Sequence, residues 1–449
     1  MSKPPKATDF GPGGGLSPVT SKWLEAGDPA LRKSRGQYMT PRLVAEALID
    51  RVLLAPGMKV LDPGVGTGEL LRAALDREPA ILATGWDIDP EVLLAARELV
   101  PEARLEERSA LVAAIDRSGA EAASPGGFDL VIANPPYFQI RLGRDQRERF
   151  SSVISGRPNI FALFFQIALE QLRPGGTLAF IVPPSMNSGA YFEALREYLT
   201  SRAEIRDLTV LEGTDLFEGA NTAIQLLVAE SHQASPEAKN EVGRISGSGT
   251  GNPTHRGFAF EREVPEAGFR RVIFSSDPAR LAAEFEGRST LWELGLEAVT
   301  GQVIWNENRA RLHDGPGPGR VPLIWSRSIG EGALREPDPG AEQAGVGKPG
   351  FYDTSEGGKP PLTGPAIVVN RVVGAVGRGE LRAALVPAGR EFLAENHVNV
   401  IRPRGSGRQI DWEGVLRSLR APGVAERVRL LTGNTQISAR ELTHLLPLD

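Results

Sequence analysis

The sequence predicts an α/β fold with a doubly wound, mostly parallel sheet, followed by a C-terminal region of mixed α+β structure. Apolar runs at residues 59–62, 81–87 and 128–133 have the length of buried strands, and a turn or helical periodicity follows each of them. Beyond residue 257 the pattern changes to short mixed strands separated by long loops rich in Gly and Pro. The length of 449 residues allows two or three domains at roughly 150 residues each.

The other elements of the first half follow in the same alternating order. A helix over residues 159–172 ends at Pro174-Gly175-Gly176, and the pattern then predicts a strand at 177–182, a helix at 191–200 and strands at 205–211 and 223–229. The predicted organisation is a disordered tail at 1–20, a first domain at 21–230, a linker at 231–257 and a second domain at 258–449.

Composition excludes several kinds of protein. The chain has no cysteine, which excludes disulfides, thiolate catalysis and cysteine-bound zinc. Its five histidines are scattered without the short spacing of a zinc site, so we expect no metal. The longest nearly apolar run, residues 160–169, is too short to cross a bilayer, and the N-terminus lacks the apolar core of a signal peptide. We therefore expect a cytoplasmic protein without a membrane partner.

The first motif with chemical content is the glycine turn Asp62-Pro63-Gly64-Val65-Gly66-Thr67-Gly68, which follows a strand and opens a helix at Glu69. Glycines let the backbone pass close to a ligand at the carboxyl edge of a sheet. Glu69-Leu70 stands where a phosphate-binding P-loop needs Lys and then Ser or Thr, so a nucleoside triphosphate is disfavoured. A dinucleotide, or a purely structural tight turn, stays open from this motif alone.

A second motif, Gly85-Trp86-Asp87-Ile88-Asp89-Pro90, ends the next strand. An acidic side chain there can accept hydrogen bonds from both ribose hydroxyls, and we assign this role to Asp87. Ile88 can lie against an adenine ring. Asp89 precedes Pro90, a good first helical residue, and is predicted to cap that helix. The two motifs together indicate a cofactor that carries adenosine.

The third motif, Asn134-Pro135-Pro136-Tyr137, directly follows the strand at 128–133 and therefore faces the same edge. The two prolines stiffen the loop and leave a carbonyl free to accept a hydrogen bond. The Asn134 side-chain oxygen supplies a second acceptor, and Tyr137 offers a flat face to a planar ring. Two acceptors that converge on one amino group hold its hydrogens and turn the nitrogen lone pair outward.

These three motifs, in this order, resemble those of the S-adenosylmethionine-dependent amino-methyltransferases. Upstream, Gly36-Gln37-Tyr38-Met39-Thr40-Pro41 resembles a segment of DNA adenine methyltransferases that contacts the methionine end of the cofactor. The gamma class of these enzymes, of which TaqI-like restriction-modification enzymes are familiar members, has a characteristic order along the chain. The cofactor motifs come first, the Asn-Pro-Pro-Tyr motif second and a long C-terminal region last. The resemblance covers residues 31–230. It implies a Rossmann-like methyltransferase sheet followed by a target-recognition domain.

The resemblance also implies roles for individual residues. It assigns the cofactor to Tyr38, Thr40, Pro41, Asp62, Pro63, Gly64, Gly66, Gly68, Asp87, Ile88, Ser109 and Asn134. Ser109 stands in Arg108-Ser109-Ala110-Leu111, where the family often has an acidic residue, and would replace that contact only weakly. The target base would be held by Asn134, Pro135, Pro136 and Tyr137. Phe217 would pack on the base, with core packing as the competing interpretation.

The activity that the resemblance implies is methylation of the N6 amino group of adenine in double-stranded DNA, with the base flipped out of the helix. S-adenosylmethionine is the implied cofactor, no metal is required, and a separately encoded restriction endonuclease is an implied partner. Methylation of cytosine N4 in DNA, of RNA, or of a protein glutamine are the alternatives. A cofactor-binding recognition subunit without catalysis is disfavoured by the intact Asn134 motif.

In the second domain the sequence offers only candidates for contact with DNA. Two segments, residues 299–303 and 395–399, are similar to parts of target-recognition domains. Arginines in loop-like or strand-edge contexts suit phosphate or base contacts, and we name Arg309, Arg311, Arg371, Arg402 and Arg404. Each of them, and His397, has an ordinary structural role as its competing interpretation.

Overall fold

A seven-stranded sheet forms the centre of the first half of the chain. Its strands are β1 Lys59–Asp62, β2 Leu82–Asp87, β3 Arg104–Glu107, β4 Phe128–Ala133, β5 Leu172–Val182, β6 Ala203–Leu211 and β7 Ile224–Ser231. They lie in the order β3-β2-β1-β4-β5-β7-β6. All neighbours are parallel except β7, which is antiparallel to β5 and to β6. The predicted doubly wound, mostly parallel sheet is confirmed.

The computed structural model describes residues 15–30, 32, 36–115, 127–211, 224–232, 254–256, 259–264, 269–330, 333–337, 348–371, 381–405, 409–432 and 436–449. Two compact units divide the chain, Met1–Pro278 and Ala279–Asp449. Most of the predicted linker and part of the predicted N-terminal tail lie outside the described residues. Residues 18–20 of that tail are helical, and Thr20 is buried.

Helices connect the strands of the first unit. They are α1 Pro18–Ala26, α2 Arg42–Ile49, α3 Glu69–Arg77, α4 Pro90–Leu99, α5 Ala110–Ile115, α6 Arg144–Arg149, α7 Ile160–Gln171 and α8 Glu193–Arg202. The helices predicted after residue 68, after Asp89 and before Pro174 are confirmed. Sequence analysis did not identify β3, because its residues Arg-Leu-Glu-Glu contain a single apolar side chain and lie at the sheet edge.

The core of the first unit lies on both faces of the sheet. Along β4, Val131 and Ala133 pack with the apolar residues of α7, whereas Leu130 and Ile132 pack on the other face with residues of α2 and α3. Because successive side chains of a strand point to opposite faces, a strand is apolar wherever both of its faces are buried, as at residues 130–133. This explains why residues 128–133 stand out in the sequence.

A second, three-stranded sheet closes the first unit. It consists of β8 Thr254–Arg256, β9 Ala259–Val264 and β10 Phe269–Phe274, in the order β10-β9-β8. Val272 and Phe274 of β10 are buried in the core that contains α7, and the backbone N–H of Phe274 donates to the carbonyl of Asn187 at 2.9 Å. The compact division falls at Pro278, whereas the sequence placed the domain boundary at residue 257.

The second unit mixes strands and helices. Its helices are α9 Pro278–Glu284, α10 Trp412–Leu419, α11 Val424–Thr432 and α12 Ala439–His444. Its strands are β11 Leu296–Thr300, β12 Leu312–His313, β13 Arg320–Ile324, β14 Phe351–Asp353, β15 Leu362–Thr363, β16 Ala366–Asn370, β17 Ala383–Val386, β18 Glu391–Ala394 and β19 Val398–Pro403. They form two sheets, ordered β11-β19-β16-β17 and β12-β14-β13-β18-β15.

Candidate functional site

The strand order reverses between β1 and β4, and a cavity of about 490 Å³ opens at the carboxyl ends of these strands. This is the place where α/β sheets of this kind bind ligands. Its wall includes residues 36–40, the glycine turn after β1, the turn after β2 and the loop after β4, and residues 108–111 and two side chains of α7 complete it. The three motifs found in the sequence therefore meet at one site.

The glycine turn is held in one conformation by its backbone. Gly66 has φ 54° and Gly68 has φ 96°, a left-handed region in which a side chain is strained. A Cβ on Gly68 would also lie 3.0 Å from Cγ2 of Val100. The N–H of Val65 donates to the carbonyl of Trp86 at 2.9 Å, which ties the turn to the end of β2. The turn consequently needs glycine at position 68 for two independent reasons.

Asp62 supplies a buried carboxylate at the floor of the cavity. It is 1% exposed, and its Oδ1 accepts a hydrogen bond from the N–H of Gly64 at 3.1 Å. Burial raises the pKa of this carboxyl to about 8, and the nearby Asp87 carboxylate also raises it, while the Gly64 N–H lowers it. Within the described part of the chain, no cation pairs with Asp62. A ligand with a positive charge would supply the missing partner.

Asp87 ends β2 with both carboxylate oxygens on backbone donors. Its Oδ2 accepts from the N–H of Gly66 and its Oδ1 from the N–H of Asp89, each at 3.0 Å. Burial raises the pKa of Asp87, and the two backbone donors oppose that shift. Asp89 caps α4 through the N–H of Glu91 at 3.0 Å, as predicted, and its other oxygen accepts from Nε2 of Gln37.

The loop after β4 holds the Asn134 side chain by three hydrogen bonds. Its Nδ2 donates to Oγ1 of Thr40 at 3.1 Å and to the carbonyl of Tyr38 at 3.3 Å. Its Oδ1 accepts from the hydroxyl of Tyr137 at 2.8 Å. The Asn134 amide therefore has one orientation, fixed by residues 38–40 on one side and by its own loop on the other.

Tyr137 lies inside the loop rather than on the cavity wall. Its ring meets Phe161 edge-on at a centroid distance of 6.1 Å, and its hydroxyl also lies 2.8 Å from the carbonyl of Ile181. A phenol has one hydrogen, so it donates to Asn134 or to Ile181 at any moment. Burial raises the pKa of Tyr137, which keeps the hydroxyl protonated. Pro136 and Phe138 line the cavity instead.

The structure brings most of the predicted site residues to the cavity wall. These are Tyr38, Thr40, Asp62, Pro63, Gly64, Gly66, Asp87, Ile88, Ser109, Asn134 and Pro136. Four others adjoin lining residues in the chain without lining the cavity themselves: Pro41, Gly68, Pro135 and Tyr137. Phe217 lies outside the described residues.

Sequence reasoning missed several lining residues, among them Gln37, Arg108, Phe138 and Phe164. Gln37 and Phe138 adjoin residues that the motifs singled out, so proximity in sequence was a usable signal for them. Phe164 belongs to the uniformly apolar α7, where nothing distinguishes a cavity residue from a core residue.

Arg108 and Ser109 occupy the position where the sequence departs from the family pattern. The Arg108 guanidinium lies 4.5 Å from the centroid of the Trp86 ring, and its backbone N–H donates to the carbonyl of Asp87 at 2.8 Å. The Ser109 hydroxyl accepts from the N–H of Val112 at 3.5 Å, at the start of α5. Neither side chain is a carboxylate, so this wall of the cavity carries no acidic acceptor at this position.

The arginines singled out in the second unit have different environments. Arg311 donates to the carbonyls of Ser355 and Glu356, and Arg402 forms an ion pair with Glu297 at 2.8 Å. Arg309 stacks on the indole ring of Trp305, and Arg404 stacks on the indole ring of Trp292. Arg371 is partly buried. His397 bonds the buried Glu395 through Nδ1 at 2.8 Å, which supports its structural interpretation.

Comparison with known proteins adds to this geometry. The model of the Eco57I restriction-modification methylase family matches residues 95–217. Along this stretch the chain is similar to restriction-modification methylases. Residues 95–217 begin in α4 and include the loop that carries Asn134. This supports the part of the predicted resemblance that concerns restriction-modification methylases. The finer assignment to the adenine-specific gamma class stays a prediction.

Individual relatives agree with the family. The chain is 24% identical to the modification methylase CviBIII of Paramecium bursaria Chlorella virus NC1A over 53% of this chain and 56% of that protein. It is 23% identical to the type II methyltransferase M.PstI of Providencia stuartii over 67% of this chain and 64% of that protein. A release factor glutamine methyltransferase of Caulobacter vibrioides is 34% identical over 31% of this chain and 52% of that protein. The chain thus spans between about half and two thirds of the length of these relatives.

The cofactor of the protein is S-adenosylmethionine, and the cavity fits it. The unpaired, buried carboxylate of Asp62 suits the ammonium of the methionine moiety, and Asp87 at the end of β2 suits the ribose hydroxyls. Ile88, 70% exposed beside them, offers an apolar surface to the adenine ring. The volume lies within the range of roughly 300–1,000 Å³ that is common for small-molecule sites.

Two further observations concern metal sites and membrane-spanning helices, neither of which the sequence predicts. Among the described residues, no group of three or more His, Asp or Glu side chains is arranged to hold a metal ion. Across the same part of the chain, no helix has both the length and the apolar character needed to cross a bilayer.

Proposed function

We propose that this protein is a restriction-modification methylase that transfers a methyl group to the N6 amino group of adenine in double-stranded DNA. The observation that carries the proposal is the fixed Asn134 amide beside the cofactor cavity, held by Thr40 and by the Tyr38 carbonyl. S-adenosylmethionine supplies the electrophilic methyl group together with a neutral leaving group. A base inside a duplex is out of reach of such a pocket, so the target adenine must be flipped out.

The chain's own contribution is to make a poor nucleophile react. The lone pair of an exocyclic amine is delocalised into the ring, and the nitrogen must become pyramidal as it attacks. We assign Asn134 Oδ1 and the Pro135 carbonyl as the two acceptors for its hydrogens. Because these hydrogen bonds favour the pyramidal nitrogen, they stabilise the transition state more than the substrate. When the amine arrives, the Tyr137 hydroxyl can release Asn134 and donate to the Ile181 carbonyl, which is within 2.8 Å.

The direct test is incubation of the full chain with isotope-labelled S-adenosylmethionine and unmethylated DNA of mixed sequence, followed by mass spectrometry of the nucleosides. We expect labelled N6-methyladenine. Labelled N4-methylcytosine would keep the mechanism and correct the base. Absence of label from DNA, in a preparation that binds the cofactor, would refute the proposal.

The variant Asn134→Ala tests the site itself. We expect it to abolish methyl transfer while S-adenosylmethionine still binds, because the acceptor is lost but the cofactor contacts at Asp62 and Asp87 remain. Removal of one such group costs roughly 100- to 1,000-fold in rate in comparable electrostatic sites. The matched control is Asn159→Ala, which removes an asparagine that caps α7. Undiminished transfer by Asn134→Ala would overturn the assignment.

A protein glutamine is the second candidate substrate, because the relative with the highest identity among those described above is a release factor glutamine methyltransferase. That likeness covers 31% of the chain and leaves the second unit without a role. We therefore favour DNA as the substrate, with a separately encoded restriction endonuclease as the partner that the family suggests. Label found in a release factor and not in DNA would reverse this choice.

A further inference from the structure

The second unit exposes one aromatic side chain within a group of cations. Trp305 is 37% exposed and is the only large apolar residue exposed to that degree among the described residues of this unit. Arg309 and Lys348 lie against its ring, and Arg327 and the buried Trp325 contact Lys348. We call these five residues the Trp305 surface.

Indole rings hold two of the cations. The guanidinium of Arg309 lies 4.8 Å from the centroid of the Trp305 ring. The Lys348 ammonium lies 5.6 Å from the Trp305 ring and 4.4 Å from the Trp325 ring. Trp325 is itself anchored, since its Nε1 donates to the carbonyl of Pro349 at 2.7 Å. Cation–π contacts restrict the two long side chains while leaving their N–H groups free to donate.

No carboxylate neutralises this group within the described part of the chain. Arg309, Arg327 and Lys348 form no ion pair there, and Arg327 only donates to the carbonyl of Lys348 at 3.0 Å. Other arginines of the unit are compensated, as Arg402 is by Glu297 and Arg390 by Glu336. The Trp305 surface therefore concentrates positive charge that no carboxylate of the described residues offsets, in contrast to Arg402 and Arg390.

We propose that the Trp305 surface binds the phosphodiester backbone of duplex DNA. The inference rests on the proposed function, since it assigns that substrate a docking surface outside the cofactor cavity. Guanidinium and ammonium groups that are already held in place lose little side-chain entropy when they bind phosphate. The exposed indole edge packs against the deoxyribose. Such contacts position the duplex without reading its sequence, so this surface supplies affinity and other residues supply specificity.

Substitution of the two cations tests the proposal. Arg309→Gln, Lys348→Gln and the double variant are compared with the unchanged chain by fluorescence anisotropy on a short labelled DNA duplex of mixed sequence, across a series of salt concentrations. We expect each single substitution to weaken binding roughly fivefold near physiological salt. The double variant should lower the slope of log affinity against log salt by about 2. Cofactor binding should stay unchanged, because every residue lining the cavity belongs to the first unit.

Two further variants keep the test specific. Arg390→Gln removes the same charge from an arginine already paired with Glu336, and we expect less than a twofold loss. Glu307→Gln removes a carboxylate between Trp305 and Arg309 in the sequence, and we expect tighter binding. An unchanged affinity and salt slope in the double variant would overturn the inference while DNA methylation by the unchanged chain upheld the proposed function. If the unchanged chain neither bound nor methylated DNA, both the inference and the proposed function would be overturned. Preference of the unchanged chain for an RNA duplex of the same length would have the same consequence.

Discussion

At the scale of single residues, burial changes the acid–base properties of two groups in the site, Asp62 and Tyr137. Asp62 is a carboxylate without a cation partner among the described residues, and Tyr137 is a phenol whose one hydrogen has two acceptors within 2.8 Å. Each arrangement costs free energy in the protein without its ligands, because buried polar groups are stable only when fully paired. Both costs are expected to diminish when the ligands arrive.

Asp62→Asn should stabilise the cofactor-free protein and weaken cofactor binding. The pKa of Asp62 is raised from 3.8 to about 8, so between these values the folded state binds more protons than the unfolded state. The contribution of Asp62 to stability is therefore full below pH 4 and is lost as the pH rises toward 8. Asparagine removes this loss, and we expect the denaturation midpoint of the variant to exceed that of the unchanged chain most clearly near pH 8. We expect cofactor affinity, measured by calorimetry, to fall at least tenfold. A tenfold loss corresponds to roughly 1.4 kcal/mol of binding free energy, the contribution of one weak charge contact.

Tyr137→Phe should lower stability more than it disturbs cofactor binding. The ring keeps its edge-on contact with Phe161, but Asn134 Oδ1 and the Ile181 carbonyl lose their shared donor. We expect about 1–2 kcal/mol less free energy of unfolding. Tyr191→Phe, at a tyrosine that is 61% exposed, is the control and should be neutral. Equal denaturation curves for the two variants would show that the Tyr137 hydrogen bonds contribute nothing.

At the scale of elements, the ends of β1, β2 and β4 determine the site. The N–H groups of Gly64 and Gly66 contact Asp62 and Asp87, so the glycine turn organises both carboxylates at once. Helix α1 supports the same turn from outside, because Oγ1 of the buried Thr20 donates to Oγ1 of Thr67 at 2.8 Å. The cofactor site is therefore a property of the turn and of its supports rather than of any one strand.

Gly68→Ala should damage this turn more than an equally strained position elsewhere. Alanine at φ 96° carries backbone strain of about 1–2 kcal/mol, and its Cβ would also press on Val100 at 3.0 Å. Gly57→Ala is the matched control, since Gly57 has φ 79° and a Cβ added there would meet nothing within 4 Å. We expect a larger fall in denaturation midpoint for Gly68→Ala, with weaker cofactor binding in that variant alone. Similar effects of both substitutions would mean that the contact with Val100 is unimportant.

At the scale of the whole molecule, the two units differ in what they hold. The cavity is lined entirely from residues 36–164, within the first unit, and β10 completes the core of that unit. Val272 and Phe274 are buried there, and Arg196, itself fully buried, donates from Nε to the carbonyl of Val272 at 2.5 Å. The first unit therefore extends past the boundary at residue 257 that composition suggested.

Truncation distinguishes the two boundaries. We expect a chain ending at Pro278 to fold and to bind S-adenosylmethionine, because it retains the complete first unit. A chain ending at residue 257 loses the burial of Val272 and Phe274, worth about 1.5–3 kcal/mol each, and removes the carbonyl that accepts from Nε of Arg196. It should aggregate or unfold at lower denaturant concentration. Equal stability and cofactor affinity of both truncated chains would favour the boundary at residue 257.

Local patterns in the sequence were enough to predict the sheet except β3, together with the strand ends at which the cavity opens. Residues 59–62 and 128–133 form the strands that were expected, because the parts covered on both faces, residues 60–61 and 130–133, are continuously apolar and are therefore visible in the sequence. Gly68, Asp87 and Asn134 lie at strand ends, where local backbone rules apply, and those rules depend on neighbours in the chain.

Features that depend on residues far apart in the chain became visible only in the folded molecule. Tyr137 was expected to offer a flat ring to the target, yet its hydroxyl bonds Asn134 and its ring packs on Phe161 while Phe138 lines the cavity. The boundary at Pro278, the unpaired state of Asp62 among the described residues, and the Lys348 ammonium over the rings of Trp305 and Trp325 arise in the same way. Burial, pairing and ring contacts are set by packing between distant segments, and no local pattern of residues encodes them.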